Sequence, residues 1–249
     1  MSETLFRIGQ IVPSSNTTME TEVPMFMNRY ARQHGGVRFT FHSSRMRMKH
    51  VRKEELAAMD ADSHRCAAEL ADAPIDVAGY ACLVAIMAMG PGYHRTSEKT
   101  LSEIAAREGA GFPVVTSAGA LVSELKREGF RKVSLLMPYA DELARTVVDY
   151  IEAEGIAVVD YKNFSVTDNQ EVGRIPSERL ITALDDLRTD EADAVVLSAC
   201  VQMPSIAALD LARARLGMPV TSTAECTSRV MLRSLGLDVN PMTSLEAAE

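Results

Sequence analysis

The sequence predicts an α/β protein made of two similar halves with mainly parallel sheets, and three observations support this prediction. Short β-branched runs alternate with longer helical patterns along most of the chain, which is typical of alternating strands and helices. Three segments of the first half recur in order in the second half, and this indicates a duplicated unit. The 249 residues, 47% of them hydrophobic and 24% charged, suffice to bury a full core.

Eight apolar runs are predicted to be the strands, with helices in the intervals between them. The predicted strands are residues 6–12, 37–42, 77–81, 114–116, 133–137, 156–161, 194–198 and 220–222. In the interval before the third strand, apolar residues recur at helical spacing and predict a buried stripe on one helix. The stripe consists of Leu56, Met59, Cys66 and Leu70.

The internal repeat relates three strand ends of the first half to three of the second. Residues 7–13 (RIGQIVP) match residues 132–138 (KVSLLMP), and residues 77–82 (VAGYAC) match residues 195–200 (VVLSAC). A third match relates residues 111–118 (GFPVVTSA) to residues 217–224 (GMPVTSTA). We therefore expect a first half over residues 1–116 and a second half over residues 117–249, with an exchange of helices between them allowed.

The repeat separates the four cysteines into two classes. Cys82 and Cys200 correspond to each other, and each follows a predicted strand. Ligands of parallel α/β sheets bind beyond the carboxyl ends of the strands, so the two thiols are expected to face one cleft between the halves. Cys226 aligns with Ala120, and Cys66 lies on the helix stripe, so both are predicted to be structural. For Cys82 and Cys200 the alternatives are core packing and a redox-active disulfide, although the Cys-x-x-Cys spacing of the latter is absent.

The charge of the chain bears on its partners. A formal net charge of −8 argues against a nucleic acid or an anionic membrane as partner, because phosphate binding depends on clustered lysine and arginine. No membrane-spanning run and no signal pattern are found in the sequence, which predicts a cytoplasmic protein. One basic run extends from Arg45 to Lys53, and it is either a lid that attracts an anionic substrate or a solvated connection before a helix.

Four segments resemble the maleate cis-trans isomerases of the aspartate/glutamate racemase superfamily. These segments are residues 12–17 (VPSSNT), 80–84 (YACLV), 138–139 (PY) and 198–202 (SACVQ). Racemases of the superfamily commonly have Cys-Asn-Thr after the catalytic strands, whereas here Leu83 follows Cys82 and Val201 follows Cys200. Arylmalonate decarboxylases have glycine in place of the first cysteine, so Cys82 counts against decarboxylation.

The resemblance implies an activity and a set of site residues. Maleate would be converted to fumarate with Cys82 as nucleophile and Cys200 as proton donor and acceptor, without a metal or an organic cofactor. Side chains and backbone amides of both halves would bind the small dicarboxylate. The implied binding residues are Asn16, Leu83, Val84, Tyr139, Asn169, Val201 and Gln202. A homodimer and a place in nicotinate degradation are also implied.

Each of the three polar side chains in this set also has a purely structural interpretation. Asn16 adjoins Thr17 and Glu20, which fit a capping box at a helix start. Tyr139 is compatible with ordinary packing, and Asn169 with a turn.

The chemistry explains why two thiols suit this reaction. Rotation about a carbon–carbon double bond requires a lower bond order, which thiolate addition provides. A second thiol can then protonate the developing carbanion. We expect one thiolate and one thiol, since adjacent like charges disfavour double ionisation, and the resemblance assigns the thiolate to Cys82. Two other functions remain open at this stage: a racemase or epimerase of an acidic amino acid, and a non-catalytic binding protein.

Overall fold

The computed structural model describes residues 3–50 and 53–242, and within them it contains two four-stranded sheets flanked by helices. The first sheet is formed by β1 (Thr4–Pro13), β2 (Val37–Met46), β3 (Val77–Tyr80) and β4 (Val114–Thr116). The second is formed by β5 (Lys132–Met137), β6 (Ala157–Asn163), β7 (Ala194–Ser198) and β8 (Val220–Ser222). Every strand pair in both sheets is parallel.

Ten α-helices are found in the described part of the chain. They are α1 (Met19–His34), α2 (Lys53–Ala71), α3 (Leu83–Ala88), α4 (Tyr93–Arg107), α5 (Ser117–Arg127), α6 (Asp141–Ala153), α7 (Asn169–Val172), α8 (Ser177–Ala183), α9 (Ile206–Leu216) and α10 (Thr223–Ser234). None of the helices of this part of the chain combines the length and the apolar character that a membrane crossing requires.

The two sheets have the same strand order, which confirms the predicted α/β fold with two similar halves. The order is β2-β1-β3-β4 in the first sheet and β6-β5-β7-β8 in the second. The repeat found in the sequence relates β1 to β5, β3 to β7 and β4 to β8. These are the two central strands and one edge strand of each sheet. Within each sheet, their carboxyl ends lie at the same edge because all strands are parallel.

All eight predicted strands are present, and the largest difference is at the end of β2. We predicted a strand over residues 37–42, but β2 continues to Met46 and pairs with β1 as far as Pro13. Of the four added residues, Ser43, Ser44, Arg45 and Met46, only the last is apolar, so they do not show the apolar alternation of a strand. These residues remain extended because their backbone pairs with β1. Polar side chains are tolerated there because β2 is an edge strand.

Two helices of the second half pack on the first sheet. Helix α10 contacts α1 and β3, and α5 packs against α10. A buried ion pair joins α5 and α10, in which Arg229 Nε donates to Glu124 Oε2 at 2.8 Å. Helix α10 therefore interlocks the halves by packing on the first sheet against α5, which directly follows β4, and the division at residue 116 stays a prediction.

The cysteines predicted to be structural are fully buried. Cys66 lies on the apolar face of α2 together with Leu56 and Met59. Cys226 lies inside α10, where its Sγ is 3.3 Å from Thr221 Oγ1. Both thiols are part of the hydrophobic core of the described chain, as expected for cysteines that act as small apolar residues.

The interlock of α5 and α10 predicts a large cost for removing Arg229. The side chains of Arg229 and Glu124 are only 6% and 1% exposed, so Arg229→Leu removes a desolvated partner from a buried carboxylate. We expect the free energy of unfolding in urea to fall by about 3 kcal/mol. The matched control is Lys99→Met, which breaks an exposed pair with Glu103 and should cost less than about 1 kcal/mol. Equal losses for the two variants would contradict the proposed interlock.

Candidate functional site

One small cavity is lined by residues of both halves at the carboxyl ends of the strands. The lining residues are Pro13, Met48, Cys82, Val84, Tyr139, Asn169, Cys200, Val201 and Gln202. The two cysteines that the repeat related to each other thus face the same cavity. A small ligand held here would contact both sulfur atoms.

Cys82 sits directly after β3 in an unusual backbone conformation. Its φ of 98° and ψ of 76° are left-handed, and it is the N-cap residue of α3. A non-glycine residue in this region costs on the order of 1 kcal/mol or more and persists only where the surroundings impose it. The backbone amide of Ala85 faces the sulfur atom. The chain therefore uses a strained residue to present one thiol to the cavity.

Cys200 begins an irregular loop between β7 and α9. The hydroxyl of Tyr139 and the amides of Gln202 and Met203 face its sulfur atom. The loop itself is fixed by the Ser198 hydroxyl, which donates to the carbonyl oxygens of Cys200 and Met203 at 2.7 and 3.0 Å. Cys200 consequently has three hydrogen-bond donors around its sulfur, whereas Cys82 has one.

Burial dominates the ionisation of both thiols. It raises the pKa of Cys82 to about 12, with the Ala85 amide opposing the shift and the neighbouring Cys200 and Asp60 adding to it. Burial also raises the pKa of Cys200, and there the Tyr139 hydroxyl and two amides oppose the rise. Burial thus favours the protonated form of each thiol near neutral pH, and the expected pair of one thiolate and one thiol stays a prediction. The donors also prepare Cys200, rather than Cys82, for negative charge.

The Tyr139 hydroxyl stays protonated, so it can donate a hydrogen bond to the Cys200 sulfur. Burial raises the pKa of its hydroxyl well above the usual value, and the two neighbouring thiols raise it further. Its side chain is 4% exposed and lines the cavity. The hydroxyl is therefore a neutral hydrogen-bond donor at the site, and its expected role in binding a substrate carboxylate stays a prediction.

The side chain of Gln202 joins three segments of the site. Its Nε2 donates to the carbonyl oxygens of Ser15 at 3.1 Å and Asn169 at 2.7 Å, and its Oε1 is buried without a hydrogen-bond partner. Asn169 in turn donates from Nδ2 to Ser15 Oγ at 2.8 Å. We had expected Gln202 to act through its backbone amide. The side-chain crosslink was not visible in the sequence, because its partners are more than 30 residues away.

The structure places Asn16 and Leu83 beside the cavity rather than in its lining. Asn16 Oδ1 accepts the amide hydrogen of Met19 at 3.0 Å, so this oxygen caps α1, as the structural alternative proposed. Leu83 is buried as the first residue of α3. Roles of Asn16 and Leu83 in ligand binding stay predictions.

The basic run contributes a methionine to the cavity rather than its charges. Met48 lines the cavity, and its carbonyl oxygen accepts from Ser15 Oγ at 2.8 Å. Arg45 pairs with Glu20 and with backbone carbonyl oxygens. The loop touches the second half where His50 forms a β-bridge with Asp168. Arg52 and the side chain of Lys53 lie outside the described residues, so the lid stays a prediction.

Metal ligands are not grouped near this cavity. Among residues 3–50 and 53–242, no three histidine, cysteine, aspartate or glutamate side chains are arranged to hold a metal ion. The polar chemistry of the cavity lining consists of two thiols, one phenol and two carboxamides.

Comparisons with known proteins agree with this geometry. A family model described as arylmalonate decarboxylase matches residues 8–245. The maleate isomerase of Alcaligenes faecalis is 55% identical over 234 residues, which are 94% of this chain and 92% of the relative. A cysteine-to-alanine variant of the Pseudomonas putida S16 maleate isomerase, crystallised with maleate, superposes with a TM-score of 0.93 at 48% identity and 97% coverage of both chains.

A second solved structure shows a covalent intermediate. It is a cysteine-to-serine variant of the Nocardia farcinica maleate cis-trans isomerase with a covalently bound succinylcysteine. Its TM-score is 0.90 at 46% identity, with 94% of each chain covered.

The raised pKa values of the cavity thiols predict how they react with iodoacetamide. Only the thiolate is alkylated, so labelling of Cys82 and Cys200 should be slow at pH 7 and should still rise beyond about pH 9, where the labelling of an ordinary exposed thiol levels off. Peptide mass spectrometry measures each site separately. Cys66 and Cys226 serve as internal controls, since both should react only after unfolding. A labelling rate that is already constant above pH 7 would show that burial does not control the thiols.

Proposed function

The chain belongs to the arylmalonate decarboxylase family and, within it, to the maleate isomerases, and from this membership we propose that it converts maleate to fumarate. The observation that supports this most directly is the pair of thiols on one small cavity, Cys82 from the first half and Cys200 from the second. In the proposal Cys82 is the nucleophile and Cys200 transfers the proton. The steps require only side chains and amides of this chain.

The first step is addition. The Cys82 thiolate forms a bond to one alkene carbon of maleate, and the π electron pair moves to the neighbouring carbon and its carboxylate. The thiol of Cys200 gives its proton to that carbon, which leaves a succinyl group on Cys82 and a thiolate at Cys200. The Tyr139 hydroxyl and the amides of Gln202 and Met203 face this second sulfur, so they stabilise the charge that the proton transfer creates.

Rotation and elimination complete the reaction. The former double bond is now single, so the two carboxylate-bearing carbons rotate relative to each other. The Cys200 thiolate then removes a proton from the carbon it had protonated, the electron pair re-forms the double bond, and the carbon–sulfur bond breaks. Cys82 recovers its thiolate and Cys200 its proton, so the pair is ready for another molecule.

The thiolate of Cys82 is scarce but reactive. A pKa of about 12 keeps the ionised fraction small at neutral pH, while the nucleophilicity of a thiolate increases with its basicity. Addition requires that the pair has first lost one proton to solvent. Cys200 is suited to carry the resulting negative charge, because three donors face its sulfur, and its thiolate then takes the proton of Cys82 as the Cys82 sulfur adds to the alkene. The proton passes from Cys82 to Cys200 and on to carbon, which balances every step.

A racemase or epimerase of an acidic amino acid is the second candidate. Two thiols on one cavity also suit proton transfer on opposite faces of an α-carbon. The sequences after the two cysteines, Leu83-Val84 and Val201-Gln202, count against this candidate, because the superfamily racemases commonly have Asn-Thr there. The homodimer, the cytoplasmic location and the place in nicotinate degradation stay predictions.

The decisive measurement is the conversion of maleate by the purified protein without added cofactor. We expect fumarate to form, with losses of at least about a thousandfold in kcat for Cys82→Ala and Cys200→Ala. Polarimetry with L-aspartate distinguishes the racemase. Fumarate at the level of a protein-free control would refute the isomerase.

The assignment of the two thiols is tested by trapping. Cys200→Ala incubated with maleate should accumulate a succinyl group on Cys82: water protonates the carbanion slowly, and the base that would remove this proton for elimination is missing. Intact-mass and peptide mass spectrometry locate the added group. An adduct on another residue, with Cys82 unmodified, would refute Cys82 as the nucleophile.

The crosslink through Gln202 predicts a specific effect of Gly173→Ala. An added Cβ at Gly173 would lie 2.8 Å from Gln202 Nε2, while its φ of −68° accepts alanine without backbone strain. Displacement of Gln202 loosens the Cys200 loop, and we expect kcat/KM for maleate to fall about 10- to 100-fold. Gly111→Ala is the control, because nothing lies within 4 Å of its added Cβ. Equal activity of both variants would contradict a role for the crosslink.

A further inference from the structure

Glu22 is a buried carboxylate of α1 that reaches from the first half to the second. Its Oε1 accepts the amide hydrogens of Ser205 at 2.6 Å and Ile206 at 2.7 Å, and its Oε2 accepts from the Ser205 hydroxyl at 3.1 Å. The residue is 5% exposed, and it does not line the cavity. Burial of a carboxylate is costly unless hydrogen bonds compensate for the lost water. Here three donors of the second half provide that compensation.

The donors are the start of helix α9. Ser205 is the N-cap residue of α9, but its own side chain does not cap the helix. The free amide groups of a helix N-terminus favour a negative charge. Glu22 supplies that charge from 183 residues away in the sequence, so the cap of α9 depends on α1 of the first half.

The capped turn also controls the position of the Cys200 loop. Between Cys200 and Ser205 the chain is irregular, and in this stretch the amides of Gln202 and Met203 face the Cys200 sulfur. The stretch is held to the first half twice, by Gln202 Nε2 on the Ser15 carbonyl oxygen and by Glu22 on Ser205. Loss of either contact allows the two amides to move away from the sulfur.

Glu22 also acts on Cys200 through its charge. The groups that face Cys200 are Tyr139, Cys82 and, from α1, Glu22. Burial is the main cause of the raised pKa of Cys200, and the negative charge of Glu22 raises this pKa further.

We propose that Glu22 is a positioning residue for Cys200, which holds the Cys200 loop across the two halves and keeps the Cys200 proton in place until the carbanion takes it. The consequence for isomerisation rests on the proposed function. The effect on the thiol does not, because it is measurable without maleate.

The test measures alkylation of Cys200 as a function of pH in a Cys82→Ala background. Glu22→Gln is the informative variant: its amide oxygen can still accept from Ser205 and Ile206, but the negative charge is gone. We expect the apparent pKa of Cys200 to fall by about 0.5 to 1 unit, so that labelling at a fixed pH accelerates about three- to tenfold. An unchanged or higher apparent pKa would overturn the proposal and leave Glu22 as a helix cap alone.

A control and a second variant complete the experiment. Asp210→Asn removes a half-exposed contact with Arg29 between the same two helices, and it should leave Cys200 labelling unchanged. If Glu22→Gln does not fold, Glu22→Asp tests the positioning instead: it keeps the charge but shortens the contact with α9, so the amides of Gln202 and Met203 move away from the sulfur and the apparent pKa of Cys200 should rise. An apparent pKa that does not rise in Glu22→Asp would overturn the positioning role. Equal shifts of the apparent Cys200 pKa in the Asp210→Asn and Glu22→Gln variants would show that any weakening of the contact between α1 and α9 has this effect. That result would overturn the proposal.

Discussion

The constraint on which the structure depends is that two sulfur atoms from different halves must reach one small ligand in a cavity where Cys200 is buried and Cys82 is half-buried. Parallel strands with the same order in both sheets place Cys82 and Cys200 at equivalent strand ends. Burial raises the pKa of both thiols. The hydrogen-bond donors at Cys200 then determine where negative charge is tolerated when a proton moves.

The alignment of the two halves is maintained by contacts at the starts of helices, and these contacts are reciprocal. Glu22 of α1 accepts from the first turn of α9, and Tyr150 of α6 interacts with the first turn of α4, where its hydroxyl accepts from the His94 amide at 3.2 Å. Each half thus contributes a side chain to the start of the helix that precedes the last strand of the other half's sheet, α4 before β4 and α9 before β8. Gln202 adds a third connection at the cavity itself. Small rotations of one half would disturb both thiols together.

Much of this organisation was predictable because it is encoded locally or by repetition. Apolar runs identified all eight strands, and the repeat singled out Cys82 and Cys200 from the four cysteines. The contacts of Gln202 and Glu22 were not predictable, since their partners lie 187 and 183 residues away in the sequence. The extension of β2 depends on pairing with β1, and the capping by Asn16 was recognised only as an alternative. The protonation of both thiols required knowledge of burial, which no residue pattern supplies.

The left-handed backbone at Cys82 has a consequence for divergence within the family. At a φ of 98° glycine is accommodated without steric cost, and the resemblance places glycine at this position in the decarboxylases. Glycine and cysteine codons are related by one base change. The first thiol can therefore be gained or lost in a single mutational step that leaves the surrounding main chain as it is, so one ancestral scaffold can alternate between one-thiol and two-thiol chemistry.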